Sequence, residues 1–444
     1  MNLIPTRIWR YAALAWLGVV LYLTLLPFTF GDMSLAEAWA RYQNIRFDGS
    51  GPRARQQWVS NVLMFVPLGF LWAGWWLHRV RSPWLQGGGA VLVAGFCLLV
   101  TASVEFLQFW IPNRGPSLTD ISANATGGVI GVLAWLVSRV PVVRQAARGL
   151  IQRQHGPGAW LLVYVAAYVF VSLLPLDLVI SAREWSTKLA SGQWGLFVAE
   201  QGCWWGVRCV TLHVLEVLLM LPLGLWVAWR MDVPGYWSLL WAGALGVLLG
   251  LLVELGLLVT VSGVSEGASV LLHGLGAVLG AMLWAWRERL PWQWLSANLR
   301  SLLLAMLPVY LLVASLVVLA GSDGWATLEA AMAQLQSLRW LPLYYHYFIA
   351  EGQAIRSVFM NLGVYAFLGL GLWLWDLRRP AGAVAHRGAW AALFAFCLAS
   401  ALEMSKLFLL GLRPDTAAPI LGVVSAAGVY LALWWMLDGL RWRR

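Results

Sequence analysis

The sequence predicts an all-α integral membrane protein of about twelve transmembrane helices, arranged as three four-helix repeats. The 444 residues are 61% hydrophobic and only 11% charged, whereas about a quarter of the residues in a soluble domain are charged. Apolar runs of about 20 residues recur along the chain, and this length crosses a bilayer as a helix. Arginine-rich connections follow every second run. Composition, run length and charge distribution therefore indicate the same class.

The apolar runs predict twelve spans with both termini in the cytoplasm, since an even number of crossings returns the chain to its starting side. The backbone in lipid must satisfy its own hydrogen bonds, which only helices and closed barrels achieve. The runs lack the alternation of barrel strands, so we interpret them as helices. The predicted spans are 7–27, 59–77, 89–111, 121–138, 159–180, 210–229, 238–260, 269–286, 301–321, 357–376, 388–410 and 416–437.

The arginine-rich connections predict the orientation of the chain. Loops rich in Lys and Arg stay in the cytoplasm, which accounts for the formal charge of +10 without a nucleic-acid partner. The predicted partner is the lipid bilayer, and the sequence identifies no protein partner. The arginines concerned are Arg79, Arg81, Arg139, Arg144, Arg148, Arg153, Arg287, Arg289, Arg300, Arg378, Arg379, Arg387, Arg441, Arg443 and Arg444.

Internal repetition predicts three domains, at 1–150, 151–297 and 298–444. In each repeat the second span carries a polar residue six positions before a proline or phenylalanine, and the third span carries a glutamate. The polar residues are Asn61, Glu216 and Asn361, and the glutamates are Glu105, Glu254 and Glu403. This order would seldom arise by chance, so we expect one four-helix plan used three times.

The fourth span of repeat one carries Asp120 and Asn124 on one helical stripe. Repeat two has Ser269 and His273 at the same distances from its glutamate. For repeat three we expect a connection that is three residues shorter, which aligns Asp415 with Asp120. The residue aligned with Asn124 is then Pro419.

Polar residues inside a span are costly and indicate a functional site by default. The candidate ligand-binding residues lie towards the outer end of repeat one: Asn61, Glu105, Gln108, Arg114, Asp120 and Asn124. Their counterparts are Glu216, Glu254 and His273 in repeat two, and Asn361, Glu403 and Asp415 in repeat three.

Two interpretations of these residues are open. They would either pair with one another and orient the helices, or form a polar pocket for a headgroup or an amphipathic ligand. Lys406, three residues after Glu403, favours an internal ion pair in repeat three.

Binding or transport of a lipid, a lipid-linked headgroup or an amphipathic drug is the first functional hypothesis. A scaffold for an envelope-assembly partner is the second. The third is a membrane-embedded hydrolase or transferase that uses Glu105 and Asp120 as an acid–base pair. The sequence shows no nucleophile with an adjacent histidine and no zinc-type ligand spacing, so we predict no cofactor, no metal and no catalytic residue.

The cysteines and outer loops add two further expectations. Cys97 and Cys397 lie inside spans and are expected to be inert, whereas Cys203 and Cys209 share one outer loop. That pair would form a disulfide in an oxidising compartment or remain two free thiols. The stretches Leu328–Trp340 and Trp194–Trp205 are amphipathic and would lie on the membrane surface or simply cover the helices.

Repeat one contains three motifs: Asn61 with Phe65-Val66-Pro67-Leu68-Gly69, then Ser103-Val104-Glu105-Phe106-Leu107-Gln108, then Arg114 with Asp120-Ile121-Ser122-Ala123-Asn124-Ala125-Thr126-Gly127. At these motifs repeat one resembles the VanZ-like family. Repeats two and three resemble it as degenerate copies, with departures at Glu216, Ser269, His273, Phe367, Lys406 and Pro419. The resemblance implies a bacterial cytoplasmic-membrane protein and a link to cell-envelope processes or to resistance against the glycopeptide teicoplanin.

Overall fold

The structure, a computed structural model, is predominantly helical in the part of the chain that it describes. A parallel pairing joins two two-residue strands, β1 (Trp194–Gly195) and β2 (Ser265–Glu266), and an isolated antiparallel bridge joins Trp325 to Leu409. The described residues are 5–47, 49, 51–112, 114–143, 145, 157–196, 198, 207–231, 235–319, 321–349, 351–377 and 385–441.

Repeat one is formed by four long helices and one short helix in the outer loop. The short helix α2 starts at a capping residue, Ser34, whose hydroxyl accepts the Glu37 N–H, a typical helix start. The helices are α1 (Thr6–Leu25), α2 (Leu35–Gln43), α3 (Pro52–Leu77), α4 (Pro83–Gln108) and α5 (Leu118–Arg139).

Repeats two and three follow the same order, with a short helix after the first long one. Repeat two contains α6 (Pro157–Ser172), α7 (Ala182–Ala190), α8 (Val207–Met231), α9 (Gly235–Leu258) and α10 (Gly267–Ala285). Repeat three contains α11 (Trp292–Val318), α12 (Leu328–Gln336), α13 (Glu351–Asp376), α14 (Ala385–Ser405) and α15 (Ala417–Arg441), with 3₁₀ turns at Tyr345–Phe348 and Lys406–Phe408.

Eleven helices of the described chain are long and apolar enough to cross a membrane. The predicted class, an all-α multi-pass membrane protein, is confirmed. The span predicted at 159–180 was too long, because α6 ends at Ser172, before Pro175. Proline lacks an N–H donor and disfavours the helical conformation of the residue before it.

The second and fourth spans of each repeat cross closely at a glycine. A side chain at this glycine would overlap a backbone carbonyl oxygen of the facing helix, so only hydrogen fits. Small residues permit this approach between membrane helices. The facing pairs are Gly69 with Gly128, Gly224 with Ala277, and Gly369 with Ala426. The second member of each pair lies 23 residues after the glutamate of its repeat, so the crossing is equivalent in all three.

An aromatic side chain of the first span also fixes the second span in each repeat. It donates a hydrogen bond to the carbonyl three residues after the polar position. The bonds run from Trp16 Nε1 to Met64 O (3.0 Å), from Tyr164 OH to Leu219 O (2.6 Å) and from Tyr310 OH to Val364 O (3.2 Å). The first two carbonyls lie three residues before a helix-interrupting proline, Pro67 or Pro222.

Replacing Tyr310 by phenylalanine is expected to cost about 1 kcal/mol of folding free energy, the typical net value of one hydrogen bond. The ring and its packing remain, and only the bond to Val364 O is lost. Thermal unfolding in mild detergent measures the effect. Tyr236→Phe is the control, because Tyr236 is 61% exposed. Equal melting temperatures for the two variants would contradict a stabilising role for this bond.

The chain divides into two compact bodies. Body one comprises Met1–Gln154 and Leu174–Ser181, and body two comprises His155–Leu173 and Ala182–Arg444. The hydrophobic core of body one lies between α1, α3, α4 and α5 and includes Phe65, Leu68, Trp72, Val93 and Trp135. The three domain ranges expected from the sequence remain a prediction.

Candidate functional site

The polar residues of repeat one lie towards the end of the spans opposite the arginine-rich connections, which is the end predicted to face outward and is called the outer end below. Helix α5 begins there at Ser117, which is fully buried. The Ser117 hydroxyl accepts the Asp120 N–H and donates to Asp120 Oδ2, both at 3.1 Å. Serine is a preferred residue at the start of a helix, and the acid three residues later falls in its first turn, so the local sequence places Asp120 there.

Glu105 joins the end of α4 to the start of α5. It is 2% exposed, and its Oε2 accepts the Ser117 N–H at 3.1 Å. A carboxylate is favourable at a helix N-terminus, where backbone N–H groups and the helix dipole are positive. Burial and the Glu105 charge together raise the pKa of Tyr42, whose ring packs on Phe106. Glu105 therefore lies close to Tyr42 of the outer-loop helix α2.

Asp120 also links α5 to α3. Asn61 Nδ2 donates to Asp120 Oδ1 at 2.6 Å, and Asn61 is half-buried. Asn61, Asp120, Ser117 and Glu105 consequently form one hydrogen-bonded chain across three helices. We call these four residues the outer network. A buried carboxylate is stabilised only when such donors surround it.

Two predicted site residues make separate pairs. Asn124, 1% exposed, donates to Thr101 Oγ1 at 2.9 Å and links α5 to α4. Gln108 donates to Thr24 O at 2.8 Å and links α4 to α1. The structure brings Asn61, Glu105 and Asp120 into one network and assigns Asn124 and Gln108 to neighbouring helix contacts.

Arg114 lies in the connection between α4 and α5 and is half-buried. The backbone N–H of Arg114 donates to the backbone carbonyl oxygen of Ile111 at 3.3 Å. The sequence prediction did not include Ser117 and Thr101. The S-x-x-D spacing before an apolar run could have identified Ser117, while Thr101, on the same helix face as Glu105 four residues later, gives only a weak signal.

Repeat two keeps the geometry with different side chains. Glu254 Oε2 accepts the Glu266 N–H at 2.6 Å, and Ser269 donates to both Glu216 oxygens at 3.1 Å. His273 lies between Tyr168 OH and Ser269 O. The carboxylate of this pair thus lies on the second span in repeat two and on the fourth in repeat one, and a serine hydroxyl takes the place of the amide.

Glu266 precedes the span α10, and burial raises its pKa, while the nearby His213 opposes that shift. The expected cysteine pair of this repeat lies outside the described residues, which include neither Cys203 nor the side chain of Cys209. Cys97 is buried and unbridged, and Cys397 is exposed and unbridged. In the described part no group of three His, Cys, Asp or Glu side chains could hold a metal ion.

Repeat three replaces the network with an ion pair. Lys406 Nζ donates to Glu403 Oε1 at 2.7 Å. Asn361 donates to Ser357 O within its own helix at 2.9 Å. Tyr365 is fully buried and packs against Gly422. Gly422 is the residue of repeat three that corresponds to Asn124 of repeat one.

The structure corrects the alignment of repeat three. Glu403 Oε2 accepts the Asp415 N–H at 2.7 Å, twelve residues ahead, as Glu105 accepts the Ser117 N–H. No shorter connection exists, so Asp415 corresponds to Ser117. It is a capping residue, whose Oδ1 accepts the Ala417 N–H at 2.9 Å.

Aligning Asp415 with Ser117 also changes the residues of repeat three that correspond to Asp120 and Asn124. Asp120 corresponds to Ala418, and Pro419 does not correspond to Asn124. Asn361 accordingly has no carboxylate to meet at the Asp120 position, which explains why it bonds to its own helix instead.

These helices and their polar ends define a multi-pass, all-α membrane protein with a buried hydrogen-bonded network in its first four-helix repeat. A family model described as VanZ/LLP1 matches residues 7–139, which extends from the start of α1 to the end of α5. Repeat one is therefore VanZ-like, and the resemblance seen in its motifs is confirmed over this range. No curated protein and no solved structure matches the chain.

Proposed function

We propose that repeat one binds the polar headgroup of a lipid, a lipid-linked molecule or an amphipathic drug at the outer leaflet of a bacterial cytoplasmic membrane. The VanZ/LLP1 match supports a role in glycopeptide resistance or another envelope process. The observation that carries the proposal is the outer network, in which two carboxylates, Glu105 and Asp120, are fixed at the ends of neighbouring spans.

The outer loop supports the proposal because it lies against this network. The Leu118 N–H donates to Arg46 O at 2.9 Å, which ties the loop to the start of α5. The next residue, Phe47, is 69% exposed. Trp39 is also exposed and packs on Phe106, next to Glu105. Exposed aromatic rings of this kind favour the membrane interface.

The chemistry of this surface suits an anionic headgroup on an apolar tail. The side chains of Arg46 and Arg53 are exposed at the outer end and would meet phosphate or carboxylate oxygens. Asn61 and Arg114 are the half-buried predicted site residues, and a headgroup would reach them first. The buried carboxylates Glu105 and Asp120 would hold α3, α4 and α5 together beneath the headgroup, and the exposed rings of Trp39 and Phe47 would contact the tail.

Replacing Glu105 by glutamine tests the proposal. The amide oxygen still accepts the Ser117 N–H, so the fold is retained while the charge is removed. We expect ligand affinity to fall about tenfold, which corresponds to about 1.4 kcal/mol. A neutral amide holds the Ser117 N–H less firmly than the carboxylate does, so the start of α5 and the side chains that a headgroup would contact are less well fixed, and this loss outweighs the reduced repulsion of an anionic headgroup. The probes are a photoactivatable phosphatidylglycerol and fluorescent teicoplanin, each titrated against the full chain in nanodiscs.

Glu254→Gln is the matched control, because Glu254 accepts the equivalent N–H in repeat two. It should change affinity less than about twofold, a difference below 0.5 kcal/mol. Equal losses in both variants, or no saturable binding by either probe, would refute a ligand site in repeat one. In that case the outer network would only orient the helices.

A further inference from the structure

The start of α3 in repeat one lacks the acidic group that the neighbouring helix starts possess. Its capping position is Gly51, which makes no side-chain hydrogen bond, and its first turn contains no acid. The first turn instead includes Arg53. By contrast, α2 and α5 start with a serine cap and an acid. A cation next to the positive end of the helix dipole is unfavourable, so a carboxylate from elsewhere beside the first turns of α3 would stabilise this helix.

Repeat two supplies a carboxylate at this place. The segment Leu174–Ser181 follows α6 but belongs to body one. Within it Asp177 is fully buried, and Gln56 Nε2 donates to Asp177 Oδ2 at 2.8 Å. Gln56 is the fifth residue of α3, so the carboxylate lies beside the first turns of that helix. Aspartate is almost never fully buried unless it is paired.

The corresponding segment of repeat one lacks this residue. Both segments have a Leu-Pro pair followed by a residue in the left-handed region, Phe28 at φ 58° and Leu176 at φ 61°. The next residue is Thr29 in repeat one, which is exposed, and Asp177 in repeat two. The turn is therefore shared, whereas the buried acid belongs to repeat two.

We propose that Asp177 is a positioning residue for repeat one, supplied by repeat two. It compensates the positive start of α3 and fixes the outer end of that helix. Asn61 lies five residues beyond Gln56, about 7.5 Å along the helix axis, so the fixed end determines whether Asn61 meets Asp120. The outer network of repeat one is then complete only when repeat two is present in the same chain.

Hydrogen exchange of the full chain in nanodiscs, read by mass spectrometry, tests this assignment without any ligand. In Asp177→Asn we expect the backbone amides of residues 55–62 to exchange about tenfold faster, because the first turns of α3 open more often. Asp177→Glu restores the charge and should exchange more slowly than Asp177→Asn. Gln56→Leu, which keeps the acid but removes the Gln56 hydrogen bond to it, should show a smaller increase over the same residues.

Asp32→Asn is the control, since Asp32 is an exposed carboxylate in the outer loop of repeat one. It should leave exchange of residues 55–62 unchanged. Faster exchange confined to residues 174–190 in Asp177→Asn would show a role local to repeat two and overturn the proposal. Equal exchange in Asp177→Asn and Asp177→Glu would also overturn it, because the charge would then be irrelevant. Failure of ligand binding leaves this experiment unaffected, so the two proposals are separable.

Discussion

Replacing Gly69 by leucine is expected to destabilise the protein by about 3 kcal/mol or more, at the upper end of overpacking penalties in helical cores. Gly69 is buried where α3 crosses α5, and a Cβ there would overlap Gly128 O. The obstacle is backbone, so it cannot move aside as a flexible side chain would. The helices must separate, and Asn61 then loses its contact with Asp120.

Gly95→Leu is the matched control for this prediction. Gly95 lies inside α4 and is exposed, and nothing lies within 4 Å of a Cβ built there. Leucine is a better helix former than glycine by up to about 1 kcal/mol, so the control should be neutral or stabilising. Melting temperature in mild detergent and the yield of membrane-inserted protein measure both. A Gly69→Leu protein as stable as Gly95→Leu would contradict the close crossing.

The sequence predicts the spans well because length and apolarity are enforced by the bilayer itself. The predicted starts are late by several residues where a helix continues beyond the apolar run. Helix α3 begins at Pro52 rather than 59, and α4 at Pro83 rather than 89. Proline at the first helical position starts a helix without requiring an apolar residue, so hydropathy alone misses these extensions.

The register of repeat three shows what residue matching misses. Matching acid to acid aligns Asp415 with Asp120, but the interaction shared by the repeats is a glutamate accepting a main-chain N–H twelve residues later. Any residue except proline has this main-chain N–H, so the residue type at the donor position does not reveal the interaction in the sequence. The helix crossings at Gly69 and Gly369 confirm the structural register independently.

The hydrogen-bond partners of the candidate site were only partly foreseeable. Glu105 and Asp120 stand out because ionisable residues are rare in spans. Their immediate donor, Ser117, is marked in the sequence only by the S-x-x-D spacing before an apolar run. The Gln56–Asp177 contact joins residues 121 positions apart, and no helical or strand period connects them. Contacts of this kind depend on tertiary packing and require coordinates.

Replacing Lys406 by methionine is expected to destabilise the protein by about 3 kcal/mol, the lower end of the range for breaking a buried ion pair from one side. The side chains of Glu403 and Lys406 are only 6% and 14% exposed. Methionine keeps much of the lysine stem, so packing changes little. The loss therefore reports the cost of leaving the Glu403 carboxylate without its cation, measured by thermal unfolding of the full chain.

The double variant Glu403→Gln, Lys406→Met separates this cost from lost packing. Glutamine still accepts the Asp415 N–H through its amide oxygen, and no uncompensated charge remains. We expect it to recover most of the lost stability, since replacing both members of a buried pair is often neutral. Additive losses in the double variant would show that the ion pair does not couple these residues. Recovery would show that Glu403 holds α14 against the start of α15. In repeat three Lys406 would then stabilise the buried glutamate, a part that the outer network plays in repeat one.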